Sequence, residues 1–136
     1  MPEYILDACA LIAFLNSESG GEKVKELLIL SSQKQIKLSV HIINIYEVYY
    51  DYLKRNHAKE SDIINDLYTL PMTVIDSIDT KLIIESGKFK ATYSLSLADS
   101  IALGLCVKLK SVLVTADHQE FDVIERDKLV TFNWIR

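Results

Sequence analysis

The sequence predicts an α/β protein, a three-layer sandwich in which a mainly parallel sheet lies between helices. Segments rich in β-branched residues alternate along the chain with segments of helical periodicity. Several of the strand segments are near-continuous apolar runs, which is typical of parallel strands buried on both faces. With 136 residues, 49% of them hydrophobic and 25% charged, the chain is expected to form one domain over residues 1–136.

The first half of the chain contains two strand-to-helix steps. The run EYILDA, residues 3–8, predicts a buried strand, and the pair Gly20-Gly21 separates it from a predicted helix over residues 22–34. IKLSV, residues 36–40, predicts the second strand. Apolar residues then recur at helical spacing over residues 41–56, with Tyr46 among them.

The second half continues the alternation and contains no internal repeat. Gly87, inside a predicted helix, suggests a close approach of another segment. The predicted helices cover residues 61–70, 79–92 and 96–109, and the predicted strands cover residues 72–76, 111–117 and 129–134.

Composition excludes several classes of protein. A net charge of −4 and a pI near 5.3 argue against binding of nucleic acid through a large basic surface. Cys9 and Cys106 are far apart and have no CxxC partner, so a zinc site or disulfide framework is not expected, and a reducing cytoplasm suits the chain. The apolar start of the sequence lacks a basic lead-in and is interrupted by Asp7, which predicts neither an export signal nor a membrane span.

Four carboxylates lie in apolar surroundings. Asp7 and Asp117 each end an apolar strand, so both are expected at one edge of the sheet, where α/β proteins bind ligands. Glu47 and Asp99 lie in apolar helical segments. Each has an ordinary explanation: Asp7 as a turn residue, Glu47 as a solvated charge, Asp117 as a helix cap, and Asp99 as the third residue of a capping box that begins at Ser96.

The four together favour a cation site. An ionised carboxylate near a core is costly unless it is paired or binds a cation. No Lys or Arg lies within four residues of Asp7, Asp99 or Asp117 on the core side of their segments. Oxygen ligands select Mg²⁺ or Mn²⁺ over zinc, and Asn44, one helical turn before Glu47, is a candidate to hold a ligand in place, with an exposed amide as the alternative.

The motifs that contain these acids resemble those of PIN-domain ribonucleases, most closely the VapC-type toxins. They read YILDACALIAFL, INIYEVYY, LSLADSIALGL and LVTADHQEF, and they span nearly the whole chain. The resemblance implies that Asp7, Glu47, Asp99 and Asp117 bind Mg²⁺ or Mn²⁺. We expect Asp7 and Asp99 to contact the metal directly, and Glu47 and Asp117 to complete its surroundings or to act through water. It also matches Thr115 to a hydroxyl residue that precedes the last acid.

The same resemblance implies a metal-dependent endoribonuclease that acts on RNA in the cytoplasm, is inhibited by a cognate antitoxin and forms a homodimer. Two alternatives have the same architecture. One is a catalytically silent PIN-like module that binds RNA or serves as a scaffold, which the presence of all four acids disfavours. The other is a receiver-like domain that accepts phosphate on Asp7, although the last predicted strand has no lysine near it.

Three other features have ordinary explanations. The tyrosines of the second helix, among them Tyr46 and Tyr50, are expected in the core and in a subunit interface rather than stacked on RNA bases. His118 is expected to be a solvated neighbour of Asp117. Lys54 and Arg55 are expected to stabilise the end of their helix, with phosphate contact as a further role.

Overall fold

The computed structural model describes residues 1–56 and 60–136, and these form a five-stranded sheet with helices on both faces. The alternation of strands and helices that the sequence predicts is confirmed. In chain order the elements are β1 (Glu3–Leu6), α1 (Ala8–Leu15), α2 (Gly21–Ser32), β2 (Lys37–His41), α3 (Ile42–Asn56), α4 (Glu60–Thr69), β3 (Thr73–Ile75), α5 (Thr80–Thr92), α6 (Leu97–Leu109), β4 (Val112–Thr115), α7 (His118–Arg126) and β5 (Thr131–Trp134).

All strand pairs in the sheet are parallel, and the strand order is β3-β2-β1-β4-β5. The chain winds outwards from β1 through β2 to β3, then returns to place β4 on the other side of β1. The strand order therefore reverses between β1 and β4, and the carboxyl ends of these two strands border the crevice where such sheets bind ligands. The order also differs from the 2-1-3-4-5 order of receiver domains, which removes the receiver-like alternative.

Each face of the sheet has its own apolar core, because successive side chains of a strand point to opposite faces. Leu6 and Val114 pack with α1 to α4, whereas Ile5 and Leu113 pack with α5, α6 and α7. All four are fully buried. The sheet is thus covered on both sides, as the apolar strand segments predict.

Two short helices were not predicted from the sequence. The predicted strands over residues 3–8 and 111–117 are too long, because β1 ends at Leu6 and β4 at Thr115. Asp7 and Asp117 then act as N-caps of α1 and α7, and their side chains accept hydrogen bonds from Ala10 N and Glu120 N. Each strand therefore passes into a helix within two residues, and both aspartates lie at the turn.

The close approach predicted at Gly87 is wrong, and the glycine that has this role is Gly104 on α6. A Cβ at Gly87 would meet nothing within 4 Å. A Cβ at Gly104 would lie 2.7 Å from the backbone N and 2.8 Å from Cα of Ser86. The glycine on α6 therefore allows α5 to pack directly on that helix.

The tyrosines of α3 are more exposed than the sequence predicts. Tyr46 is 69% exposed and Tyr50 54% exposed, so placing Tyr46 in the apolar stripe was wrong. Ile45 and Val48 form the buried stripe of this helix, and Tyr49 packs partly against the same core.

Cys9 and Cys106 both carry free thiols, as expected from their separation in the sequence. In the part of the chain that the structure describes, no helix combines the length and apolar character needed to cross a bilayer.

The two glycines provide a matched test of the packing between α5 and α6. Gly104→Ala should lower the free energy of unfolding by about 1–3 kcal/mol, because the new methyl group must displace the α5 backbone. Gly87→Ala should raise it by about 0.5–1 kcal/mol, because Gly87 is an exposed helical residue whose replacement lowers chain entropy in the unfolded state. Urea unfolding of both variants measures the difference, and equal effects would contradict the assignment of Gly104 as the contact.

Candidate functional site

Asp7 is the most buried of the four acids, with 1% of its surface exposed. Its Oδ1 accepts a hydrogen bond from Ala10 N at 2.8 Å, and Thr115 Oγ1 donates to its Oδ2 at 2.5 Å. Burial, together with the charges of Asp99 and Asp117, raises the pKa of Asp7 to about 7 despite these two bonds. A group that prefers to be charged in water is therefore held where charge is unfavourable.

Thr115 links Asp7 to Asp117 across the ends of β1 and β4. While its hydroxyl donates to Asp7, its oxygen accepts a hydrogen bond from Asp117 N at 3.0 Å. Asp117 in turn accepts from Glu120 N at 3.2 Å and so caps α7. The capping role considered for Asp117 is confirmed, and it places this carboxylate beside that of Asp7.

Asp99 lies in the first turn of α6. Ser96 Oγ accepts a hydrogen bond from Asp99 N at 3.1 Å, so the predicted N-cap is confirmed. Burial raises the pKa of the Asp99 carboxyl to about 7, opposed by a hydrogen bond from Ser96 and assisted by the charges of Glu47 and Asp117. Because the capping oxygen belongs to Ser96, the cap does not need the charge on Asp99.

Asn44 connects the helices that present the acids. It is fully buried, so the alternative of an exposed amide is wrong. Its Oδ1 accepts from Ala8 N at 3.2 Å, and its Nδ2 donates to Ala98 O at 3.4 Å. One amide thus connects the first turn of α3 to the residues that adjoin Asp7 and Asp99.

Glu47 follows Asn44 by three residues on α3 and is half-buried. Its pKa is raised, first by burial and then by the charges of Asp117 and Asp51. The charge of Asp117 also raises the pKa of Asp7 and Asp99, which indicates that the four carboxylates share one region of negative potential.

An open groove of about 320 Å³ exposes this region. Three of the four acids, Glu47, Asp99 and Asp117, line it, and Asp7 lies beneath it, where the neighbouring residues Ala8 and Cys9 form part of the wall. The structure thus brings the predicted acids to one place. Three further charged residues line the same groove and were not expected from the sequence, namely Glu18, Asp51 and Arg136. Arg55 also lines it and was expected only as a helix-ending cation and possible phosphate contact.

The four acids have no positively charged partner among the described residues, which suits a site for a divalent cation that binds oxygen ligands. Among residues 1–56 and 60–136, the ion pairs leave Asp7, Glu47, Asp99 and Asp117 without a cationic side chain in contact. Over the same residues, no three Asp, Glu, His or Cys side chains already converge on one point. Mg²⁺ requires no such cage, because it retains several waters and contacts only one or two carboxylates directly.

Cys9 lies beside the acids but does not resemble a ligand. Burial, together with the charge of Asp7, raises the pKa of its thiol to about 11. Since a thiol binds metals as the thiolate, Cys9 remains a neutral wall residue at neutral pH.

His118 contacts Asp122 and the end of the described chain, and neither residue lines the groove. His118 Nδ1 lies 2.8 Å from Asp122 Oδ1, its Nε2 lies 2.9 Å from Arg136 O, and its ring stacks on Trp134 at 3.8 Å between centroids. The hydrogen bond to the Arg136 carbonyl, followed by that to Asp122, raises the pKa of His118. The histidine therefore joins the segment after β5 to α7, while its side chain remains 49% exposed, as expected for a solvated residue.

The sequence matches the PIN domain over residues 4–127, which is most of the chain. The chain belongs to the PIN-domain family. The match includes every residue of the acidic site, from Asp7 to Asp117. No curated protein matches the sequence.

Solved structures with the same fold include three VapBC complexes. The DNA-bound VapBC of Salmonella typhimurium has 18% identity and a TM-score of 0.72, with 100% of both chains covered. VapBC2 of Rickettsia felis, bound to a promoter DNA fragment, has 15% identity and a TM-score of 0.72, with 96% of this chain and 97% of that one covered. VapBC-1 of nontypeable Haemophilus influenzae has 18% identity and a TM-score of 0.66, with 98% of both covered. At these identities the likeness establishes the three-layer PIN-like fold.

The elevated pKa values give the cation-free protein a defined pH dependence. Asp7 and Asp99 titrate near 7 when folded, against an ordinary value of 3.8, so the folded state binds their protons more tightly than the unfolded state. Their contribution to stability is therefore fully present below about pH 4 and is lost as the pH rises through about 7. Thermal melting in EDTA should show this loss.

Asp7→Asn should reduce the loss of stability with pH, leaving the part that Asp99 contributes. Asp62→Asn, at an exposed acid on α4, serves as the control and should melt with the wild-type pH dependence. A pH dependence that is the same in wild type and Asp7→Asn would show that burial does not perturb Asp7.

Proposed function

We propose that this PIN-domain protein is an endoribonuclease of the VapC toxin type, dependent on Mg²⁺ or Mn²⁺. The observation that supports this most strongly is the site itself, in which three carboxylates have raised pKa values and no cationic partner among the described residues. Metal-dependent phosphodiester hydrolysis uses such a cluster, because the cation both neutralises the acids and draws the phosphate to them.

In this proposal Asp7 and Asp99 hold the cation, and Glu47 and Asp117 complete its surroundings directly or through water. Asp7 uses two of its lone-pair positions on Ala10 N and Thr115, which leaves acceptor capacity on both oxygens. When bound, the cation would supply an activated water and stabilise the leaving oxygen of the cleaved bond.

The remaining residues of the site hold the ligands in place. Thr115 restricts the rotation of the Asp7 carboxylate and positions the start of α7, which Asp117 caps. Asn44 joins the backbones next to Asp7 and Asp99 and so keeps the distance between the two acids constant. Such supporting contacts commonly determine how well a metal site functions.

An antitoxin is the proposed protein partner, and the cytoplasm is the proposed place of action. The support comes from the fold, which this chain shares with the VapBC complexes and with a toxin-antitoxin complex of Klebsiella pneumoniae. Co-expression with the product of the neighbouring reading frame, followed by purification, would recover a stable complex. Failure of any such product to bind would count against the partner.

The central test replaces Asp99 with asparagine. Asp99→Asn retains the helix cap, since Ser96 supplies the capping oxygen, and removes one of several repelling charges. The cation-free variant should therefore be at least as stable as wild type. Its rise in melting temperature with Mn²⁺ and its RNA cleavage should be largely lost, and EDTA should abolish cleavage by wild type.

Asp79 provides the control, since it is an aspartate at the start of a helix, α5, which it caps, and it is neutralised by Lys108 at 2.5 Å. Asp79→Asn should weaken the fold but retain the full Mn²⁺ effect and cleavage. If Asp99→Asn still gains wild-type stability from Mn²⁺ and still cuts RNA, Asp99 is only a helix residue. If wild type binds RNA and never cuts it, the silent PIN-like module is correct instead.

The proposed homodimer would form through α3, on which Tyr46 and Tyr50 lie one helical turn apart and are both exposed. Large exposed aromatic side chains are typical of interfaces. Light scattering should give twice the 15.5 kDa mass of the chain, and Tyr46→Glu should give a monomer.

The control for the dimer is Tyr68→Glu, which alters a tyrosine of α4 that is 51% exposed and should leave the dimer intact. A wild-type protein that is monomeric at micromolar concentration would contradict the dimer without affecting the metal site.

A further inference from the structure

The groove that contains the acids also contains most of the arginine of this protein. The sequence has three arginines, Arg55, Arg126 and Arg136. Two of them, Arg55 and Arg136, line the groove. The chain is acidic overall, with a net charge of −4. These two guanidinium groups therefore supply positive charge in the groove, which a polyanion needs in order to bind there.

One carboxylate holds both arginines. Glu18, in the loop between α1 and α2, lies 3.3 Å from Arg55 Nη1 through Oε2 and 3.7 Å from Arg136 Nη1 through Oε1. Arg55 Nε also lies 3.0 Å from Asp51 Oδ2. Glu18 is therefore shared between two cations that are 81 positions apart, from 55 to 136.

Arg136 is fixed by its backbone as well as its side chain. Ile135 N donates to Thr115 O at 3.0 Å, and the Arg136 carbonyl contacts His118 Nε2 at 2.9 Å. Its guanidinium donates to Ser19 O at 2.6 Å. Gly20, with φ of 93°, allows this approach, since a Cβ there would lie 2.7 Å from Ile135 O.

Arg55 is placed in line with the acids by the helix that carries Glu47. Glu47, Asp51 and Arg55 follow one another at intervals of four residues and so share one face of α3. Eight residues separate Glu47 from Arg55, which is about 12 Å along the helix axis. Arg55 thus lines the same groove as the acids but is displaced along α3, which suits contact with a neighbouring phosphate of the same strand.

The guanidinium groups keep donors available despite their ion pairs. The Arg55 side chain is 51% exposed and that of Arg136 is 38% exposed. Arginine has five N–H donors in a planar fork that matches a phosphate group. Surface ion pairs of this kind are weak, so a phosphate can replace Glu18 at little cost.

We propose that Arg55 and Arg136 together bind the RNA backbone next to the phosphate at the acids, and that Glu18 aligns both arginines and competes with RNA for them. This inference rests on the proposed function, since it takes RNA as the ligand of the groove. It assigns two substrate-binding residues and one competing residue that are separate from the metal ligands.

The test measures binding of a short, fluorescently labelled single-stranded RNA by anisotropy over a range of salt concentrations. The proteins carry Asp99→Asn so that cleavage cannot interfere. Arg55→Gln and Arg136→Gln remove the charge but retain an amide that can bond to Glu18. The plot of log affinity against log salt should become shallower by about 0.7 for each arginine and by about 1.4 for the pair.

Arg126→Gln is the control, because Arg126 lies at the far end of α7, and its side chain is 75% exposed. Its slope should match that of the parent protein. Melting curves verify that each variant folds, and if Arg136→Gln does not, Arg55→Gln carries the test alone. Equal slopes for all three variants, with RNA binding intact, would overturn the inference and leave the proposed function in place.

Glu18→Gln gives a result of opposite sign. If Glu18 competes with RNA, this variant should bind RNA several-fold more tightly, whereas a purely structural ion pair predicts weaker or unchanged binding. Glu22→Gln, at an exposed acid of α2 outside the groove lining, corrects for the general effect of one less negative charge. Tighter binding by the same factor in both variants would overturn the role of Glu18. If the protein with Asp99 intact neither binds nor cleaves RNA in the presence of Mn²⁺, the proposed function itself fails.

Discussion

The architecture of the site depends on one hydrogen bond, from the Thr115 hydroxyl to the buried carboxylate of Asp7. That bond joins the ends of β1 and β4, the two strands between which the strand order reverses. Asp7 also begins α1, and Thr115 also holds the backbone of Asp117 at the start of α7. This contact between β1 and β4 therefore links the starts of α1 and α7 and the two acids, Asp7 and Asp117, that cap these helices.

Helix geometry explains how the fold tolerates these acids at all. Asp7 and Asp117 are N-caps, Asp99 lies in the first turn of α6, and Asn44 and Glu47 lie near the start of α3. The amino-terminal ends of four helices thus meet at one edge of the sheet, and their partial positive charges favour nearby carboxylates. This compensation is incomplete, because burial still raises the pKa of Asp7, Glu47 and Asp99. The remaining repulsion is what a divalent cation would relieve.

The sequence predicts the sheet and the acids well because their signals are local. Apolar runs mark the strands, and acids at strand ends mark the edge of the sheet. Helix α1, ACALIAFL, was not predicted because it is apolar on all sides and continues directly from β1. Helix α7 could have been predicted, because Asp117 and Glu120 are three residues apart at its start, a spacing typical of a helix N-terminus. The cluster around Glu18 could not be predicted, since its contacts to Arg55 and Arg136 join distant segments.

The central claim is that the acids at the ends of β1 and β4 bind a divalent cation. Anomalous diffraction from crystals grown with Mn²⁺ tests this most directly, because the ion is located independently of any assay. The account expects an anomalous peak in the groove, within ligand distance of Asp7 or Asp99. A peak elsewhere, or none in crystals whose groove is open to solvent and saturated with Mn²⁺, would contradict it.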